Sequence, residues 1–184
     1  AGPEIRVLSL EIAPPEFNAR FSARGKRYIY SFEYGPEADP LARRYAWHVP
    51  FPVDIPTVQS LLPKLEGTHD FAAFQSVGNQ MENTVRTLHA VRLYPGALLA
   101  PPDLDAAWRI EFVGDGFLYH MVRNLVGTLV EIGRGRFPAT FLTDALDGPG
   151  PFKGHCAPAH GLALAEVFYD DTYVSTLGNY VARD

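Results

Sequence analysis

Tyr28 and Tyr30 stand two apart in KRYIY, residues 26–30, and Arg123 stands in HMVRN, residues 120–124. Side chains alternate along a strand, so both tyrosines present their rings to one face. The spacing does not choose between them, and both also suit the core of an aromatic-rich strand. Arg123 lies beside Met121, Val122 and Leu125, and a guanidinium at the edge of an apolar stripe needs a partner. Other cations fall in tight groups: Arg20, Arg24, Lys26 and Arg27, then Arg43 and Arg44, then Arg134 and Arg136. Thirteen of the sixteen basic residues are Arg, whose planar fork suits bidentate contact with phosphate. The net charge of −5 and pI near 5.7 oppose nucleic-acid binding, but net charge averages over faces that can differ in sign.

Two other chemistries are poorly served. His155, Cys156 and His160 sit close together and His69 adjoins Asp70, yet a zinc centre wants three or four ligands in one geometry, and no second cluster follows at a known spacing. No metal is assigned. Asp115 in GDG precedes a helical stripe, where a helix cap explains it better than a nucleophile. Cys156 is the sole cysteine and cannot form an intramolecular disulfide, which suits a cytoplasmic chain. No run of eighteen apolar residues is present, and AGPEIRVLSL lacks the pattern of a secretory signal.

The elements that must position these residues are legible as periodicity. Residues Ile5 to Ile12 are apolar enough to read as a strand buried largely on both faces, and Lys26 to Tyr34 as a second strand ended by Gly35 and Pro36. Val58, Leu61, Leu62 and Leu65 form a helical stripe with Asp54 as cap, Gly67 as stop and Pro63 as an interruption. Thr84 to Tyr94 and Ala106 to Val113 read as two more strands. The longest helix is expected from roughly Phe117 to Gly133, capped by Asp115, on Leu118, Met121, Val122, Leu125, Leu129 and Ile132. A shorter helix follows Pro138, and Leu162 to Tyr169 is a closing strand. Five strands and three helices in mixed order indicate one α+β domain over residues 1–184, a mainly antiparallel mixed sheet with helices on one face.

FNARFSARGKRYIYSF, residues 17–32, and GDGFLYHMVRNLVGTLVEIGRGR, residues 114–136, resemble two motifs of the TruA-type tRNA pseudouridine synthases in the family's order. THDFAAF at 68–74, TVRTLHAV at 84–91 and CAPAHGLAL at 156–164 are fainter likenesses, so the resemblance runs from Ile5 to Tyr169. Asn18 stands where the family usually has His, and the Pro149 and Gly150 region replaces an expected Asp-Arg pair. The GRTDAG-type loop that bears the family's catalytic Asp does not occur in these residues. In the family it lies upstream of the strand that Ile5 to Ile12 resembles, so a fragment or a degenerate copy is the expectation.

The resemblance implies the second half of a pseudouridine synthase fold and a redox-neutral isomerisation of uridine to pseudouridine, with no cofactor, at uridines 38, 39 and 40 of the tRNA anticodon arm. It implies that Tyr28 stacks on a base extracted from its helix and that Arg123 pairs with the catalytic Asp, keeping it ionised in a closed pocket. Arg20, Arg24, Lys26, Arg27, His120, Arg134 and Arg136 are the RNA contacts it suggests. With the aspartate absent, Arg123 should be unpaired and exposed. A homodimer or an exposed apolar patch should mark where the missing half would lie. A non-catalytic RNA-binding or dimerisation module derived from the family is the alternative.

Overall fold

The computed structural model describes residues 4–76, 82–96, 106–148 and 154–176. Pro149 and Gly150 lie outside the described residues. The sheet is organised on β1 (Gly25–Tyr34), whose aromatic and β-branched residues suit a pleated surface packed on one side. One edge of β1 pairs antiparallel with β5 (Ala107–Gly114). Its other edge is shared, with β6 (Leu162–Phe168) antiparallel along Gly25 to Tyr30 and β2 (Trp47–Val49) parallel along Phe32 to Tyr34. Beyond β5 follow β4 (Val85–Pro95) and β3 (Gly67–Asp70), giving the order β2-β1-β5-β4-β3. Sheet and helices together are the α+β arrangement expected, a mixed and mainly antiparallel sheet.

One face of the sheet carries Tyr30, Phe32, Ile110, Phe112 and Val91, all fully or almost fully buried. Against it lies α2 (Met121–Gly133), which is itself packed on α1 (Ile55–Leu61) and α3 (Thr140–Asp147). Helix α2 is apolar around most of its circumference, and every residue in it except Arg123 is buried. Each of its large apolar side chains gains about 1.5–3 kcal/mol from leaving water. The opposite face of the sheet is laced by ion pairs, Arg27 with Glu111 at 3.5 Å and with Glu166 at 3.3 Å. The short α4 (Tyr173–Thr176) is the exception to helices on one face, since Tyr173 lies over Gly25, Ala90 and Val113 on that second side.

Several boundaries differ from expectation for identifiable reasons. Ile5, Val7, Leu8, Leu10 and Ile12 are 66–103% exposed and belong to no strand, because an alternating segment becomes a strand only when a neighbour takes up its backbone groups. Asp115 does not cap α2. Its Oδ1 accepts from Thr87 N and its own N–H donates to Thr87 O, both at 3.1 Å, which ties the end of β5 to β4. The helix therefore begins at Met121, after His120 in left-handed geometry, rather than near Phe117. Asp54 does cap α1, accepting from Thr57 N, and Pro63 turns the stripe into a 3-10 turn over Leu62–Leu65 before Gly67, at φ +98°, opens β3. The short strands β2 and β3 were not expected. Among the described residues, no helix is long and apolar enough to cross a membrane.

The segment 154–158 crosses α2 as a strap. Its closest approach is at Gly127, where an added Cβ would stand 1.7 Å from the carbonyl oxygen of His155. Ala157, fully buried, donates from its N–H to Arg123 O at 3.1 Å, and the His155 ring stacks on Trp47 at 5.3 Å. Gly127→Ala is therefore expected to destabilise the chain by about 1–3 kcal/mol, the scale of overpacking against backbone that must shift. Urea denaturation of the variant beside wild type checks this, and an unchanged midpoint would refute the strap's close contact.

Candidate active site

Three segments meet at the N-terminal end of α2: Lys26 to Tyr30 of β1, His120 to Asn124, and the strap. Tyr28 and Tyr30 share the helix-facing side of β1 but differ in surroundings. Tyr30 is fully buried and donates its hydroxyl to Pro158 O at 2.7 Å. Burial pushes its phenol well above the ordinary range, against a smaller lowering by the Arg123 charge. It is a packing residue that also pins the strap. Tyr28 is only partly buried, with its ring edge-on to Phe117 at 4.9 Å, and among the described residues its hydroxyl has no hydrogen-bond partner. Of the two rings that the spacing left equivalent, Tyr28 is the one within reach of a ligand.

Arg123 is the one residue of α2 that is not buried, and it is not free. Its Nε donates to Ala157 O at 2.7 Å, and Nη1 lies 3.0 Å from His120 Nε2. The expectation of an unpaired, exposed guanidinium is corrected, because a backbone carbonyl and an imidazole take two of its positions. No carboxylate among the described residues pairs with it, and its outer N–H groups keep their donor capacity. A guanidinium held through Nε and one Nη1 position keeps its remaining N–H donors for a further acceptor.

The remaining cations separate into two kinds. Arg20 is exposed on a turn that Asn18 closes by accepting from Arg20 N and Phe21 N, both at 3.0 Å, and its guanidinium lies over the Phe21 ring at 5.5 Å. Arg24 is exposed at the entry to β1, and Lys26 is partly buried on the Tyr28 face. Arg27 points to the other face, into Glu111 and Glu166. Arg134 is tied to the buried Glu131 at 2.7 Å and covers Phe51 at 4.3 Å, with its side chain 14% exposed. Arg136 reaches Glu131 at 3.3 Å but remains 64% exposed. Lys26 and Arg24 thus stand two and four residues before Tyr28 in the chain, the Arg20 loop packs on Tyr169 beyond the end of β6, and Arg134 and Arg136 sit at the far end of α2.

The residues considered for zinc take separate partners: His155 on Trp47, His160 Nε2 at 3.1 Å from Ala46 O, and His69 Nε2 at 2.8 Å from Glu66 O. Burial raises the Cys156 thiol above its ordinary value, with the Arg123 charge opposing the shift. Sequence reasoning did not identify Phe117 or the Ala157 carbonyl as parts of the site. The likeness at CAPAHGLAL pointed to the right segment, but a main-chain oxygen leaves no mark in residue types.

Comparison with known proteins yields one family. A family model described as tRNA pseudouridine synthase matches residues 62–170, a stretch that holds α2 with Arg123 but not Tyr28. The chain is 38% identical over 169 residues to tRNA pseudouridine synthase A of Streptococcus mutans serotype c, covering 91% of this chain and 66% of the relative. It is 36% identical over 169 residues to the protein of the same name from a Geobacillus species, and 34% over 169 residues to that of Ligilactobacillus salivarius, covering 65% and 64% of them. The chain thus spans 66% or less of the length of these relatives.

The two tyrosines should separate in their effect on stability. Tyr30→Phe leaves the Pro158 carbonyl without its donor in the core and should cost about 1–2 kcal/mol. Tyr28→Phe removes a hydroxyl that has no protein partner and should cost under about 0.5 kcal/mol. Equal losses in denaturant titrations of the two variants would contradict the assignment of Tyr28 as the available ring.

Proposed function

Because the chain belongs to the tRNA pseudouridine synthase family, we propose that it forms the Tyr28 and Arg123 side of an active site converting uridine to pseudouridine in the tRNA anticodon arm, at uridines 38, 39 and 40. The observation that carries this reading is the Arg123 guanidinium, fixed by Ala157 O and His120 while no carboxylate among the described residues pairs with it. The partner it would grip is the carboxylate of an aspartate supplied from outside these 184 residues. A guanidinium within ~4–6 Å holds such a carboxylate ionised in a pocket whose burial would otherwise protonate it. The ionised form is what attack or base chemistry at the ribose requires.

In the reaction the bond from ribose to the uracil nitrogen breaks, the uracil turns, a bond to uracil carbon forms, that carbon gives up its proton and the freed nitrogen takes one up, so atoms are conserved and no redox partner or metal is called for. The target nucleotide must first leave its stack. The accessible Tyr28 ring, braced edge-on by Phe117, supports a role as the surface on which the extracted base rests. Arg20, Arg24 and Lys26 around the entry to β1, with the exposed Arg136, would hold phosphates. Arg27 and Arg134 instead hold Glu111, Glu166 and Glu131 in the fold. A tRNA enzyme of this kind would work in the cytoplasm.

The exposed apolar run Ile5, Val7, Leu8, Leu10 and Ile12 favours a second reading for the 184 residues by themselves, an RNA-binding or dimerisation module in which a homodimer covers that run. Turnover separates the two. In a complete enzyme carrying these residues, Arg123→Lys is expected to cut single-turnover conversion about a hundredfold or more, because an ammonium keeps the charge but not the two-point grip. Arg20→Ala or Arg24→Ala should instead lower the salt dependence of tRNA binding by about one counterion each and leave the chemical step intact. The 184 residues alone should give no pseudouridine. Wild-type turnover by Arg123→Lys would sink the assignment, and robust activity of the isolated chain would show that the carboxylate lies within it.

A further inference from the structure

His120 is the one non-glycine residue with positive φ among the described residues, at φ 61° and ψ 7°. A side chain in left-handed geometry is strained and persists where its surroundings fix it. Here the imidazole stacks on Tyr119 at 3.8 Å and presents Nε2 to Arg123 Nη1 at 3.0 Å. A guanidinium has only donors, so Nε2 must be the acceptor and the ring must be neutral with its proton on Nδ1. This geometry gives the residue a task other than phosphate contact.

We infer that His120 is a positioning residue for Arg123: its neutral imidazole, together with Ala157 O, fixes the plane of the guanidinium, and protonation of that ring releases it. The inference deepens the active-site reading above and rests on it for its functional consequence. Two bonds, Nε to Ala157 O and Nη1 to His120, together with the covalent link through Cδ, fix both the position and the tilt of the planar group. A protonated His120 would offer a donor where an acceptor is needed, beside a like charge.

The surroundings agree with a neutral ring. Burial first, and the Arg123 charge second, hold the imidazole below the ordinary histidine value. Among the described residues, the other titratable groups around Arg123 are Tyr30 of β1 and Cys156 of the strap, both kept neutral by burial, so neither supplies a negative charge to favour the imidazolium. The sign for stability follows. Above the ordinary value of about 6.5 both folded and unfolded chains carry neutral His120, and below it the unfolded chain takes up a proton that the folded chain resists. This residue therefore makes the fold less stable as the pH falls through that window.

The deciding experiment is nitrogen-15 NMR on the 184-residue chain itself. The His120 ring should show the Nδ1-protonated tautomer and titrate below about 6.5. The Arg123 Nε–H resonance should be slowly exchanging at neutral pH and lose protection in step with that titration. His120→Gln, whose Oε1 can still accept but does not titrate, should keep the Arg123 signal protected across the range, and His120→Ala should lose it at every pH. Titration at or above the ordinary value, or an Arg123 signal indifferent to His120→Ala, overturns the inference. In a complete enzyme carrying these residues, the acid limb of kcat should follow the His120 titration and flatten in His120→Gln, with kcat at pH 8 within about threefold of wild type. His120→Ala should lower kcat by about tenfold or more with little change in KM for tRNA. An acid limb unchanged in His120→Gln also overturns the positioning role. A wild-type enzyme that makes no pseudouridine counts against the proposed function and leaves the NMR result to decide the positioning role by itself.

Discussion

The burial of α2 is the constraint on which the other arrangements depend. A helix covered on nearly all sides by sheet, helices and strap can carry a polar side chain only where that side chain finds a partner or reaches an opening. Asn124 meets the first condition by donating to Phe74 O, Thr128 by donating back to Asn124 O, and Glu131 by two arginines. Arg123 alone meets the second as well. The same helix that forms the core thereby sets the depth and direction of the one guanidinium that emerges from it.

The strap depends on the same constraint. Gly127 removes a side chain where the His155 carbonyl must pass, and that passage brings Ala157 against Arg123 and Pro158 against Tyr30. Substitution at a glycine far from any reacting atom would thus be felt at the guanidinium through two backbone oxygens. The ion pairs on the opposite face act differently. Arg27 bridges Glu111 of β5 and Glu166 of β6 across β1, and its contribution lies in aligning three strands, since partly exposed pairs add little net energy.

Periodicity made β1, β4, β5, β6 and α2 legible because each buries one face or its whole girth, and residue type records burial well. It misjudged Ile5 to Ile12, since apolarity shows that a segment would gain from a partner but not that the partner is there. Asp115 misled for a related reason: GDG suits a helix cap and a strand end equally, and the deciding group, Thr87, lies 28 residues earlier. The choice between Tyr28 and Tyr30 turns on a carbonyl 128 residues away from Tyr30. The ion pair of Arg134 was open to sequence reasoning, because Glu131 stands three positions before it, a spacing that brings side chains together on a helix.

The double pairing of β1 also bears on how the chain reaches this state. Strand β1 precedes most of its partners, Arg27 meeting Glu111 84 residues later and Tyr30 meeting Pro158 after 128. Trp47–Val49 can meet Phe32–Tyr34 soon after both are made, whereas the β5 edge and the Gly25 to Tyr30 part of the other edge wait for distant partners, and contacts of such long sequence separation are slow to close. Closure of β5 and β6 on β1 is therefore expected to be slow, and the interval before it exposes those edges of β1 to misassociation.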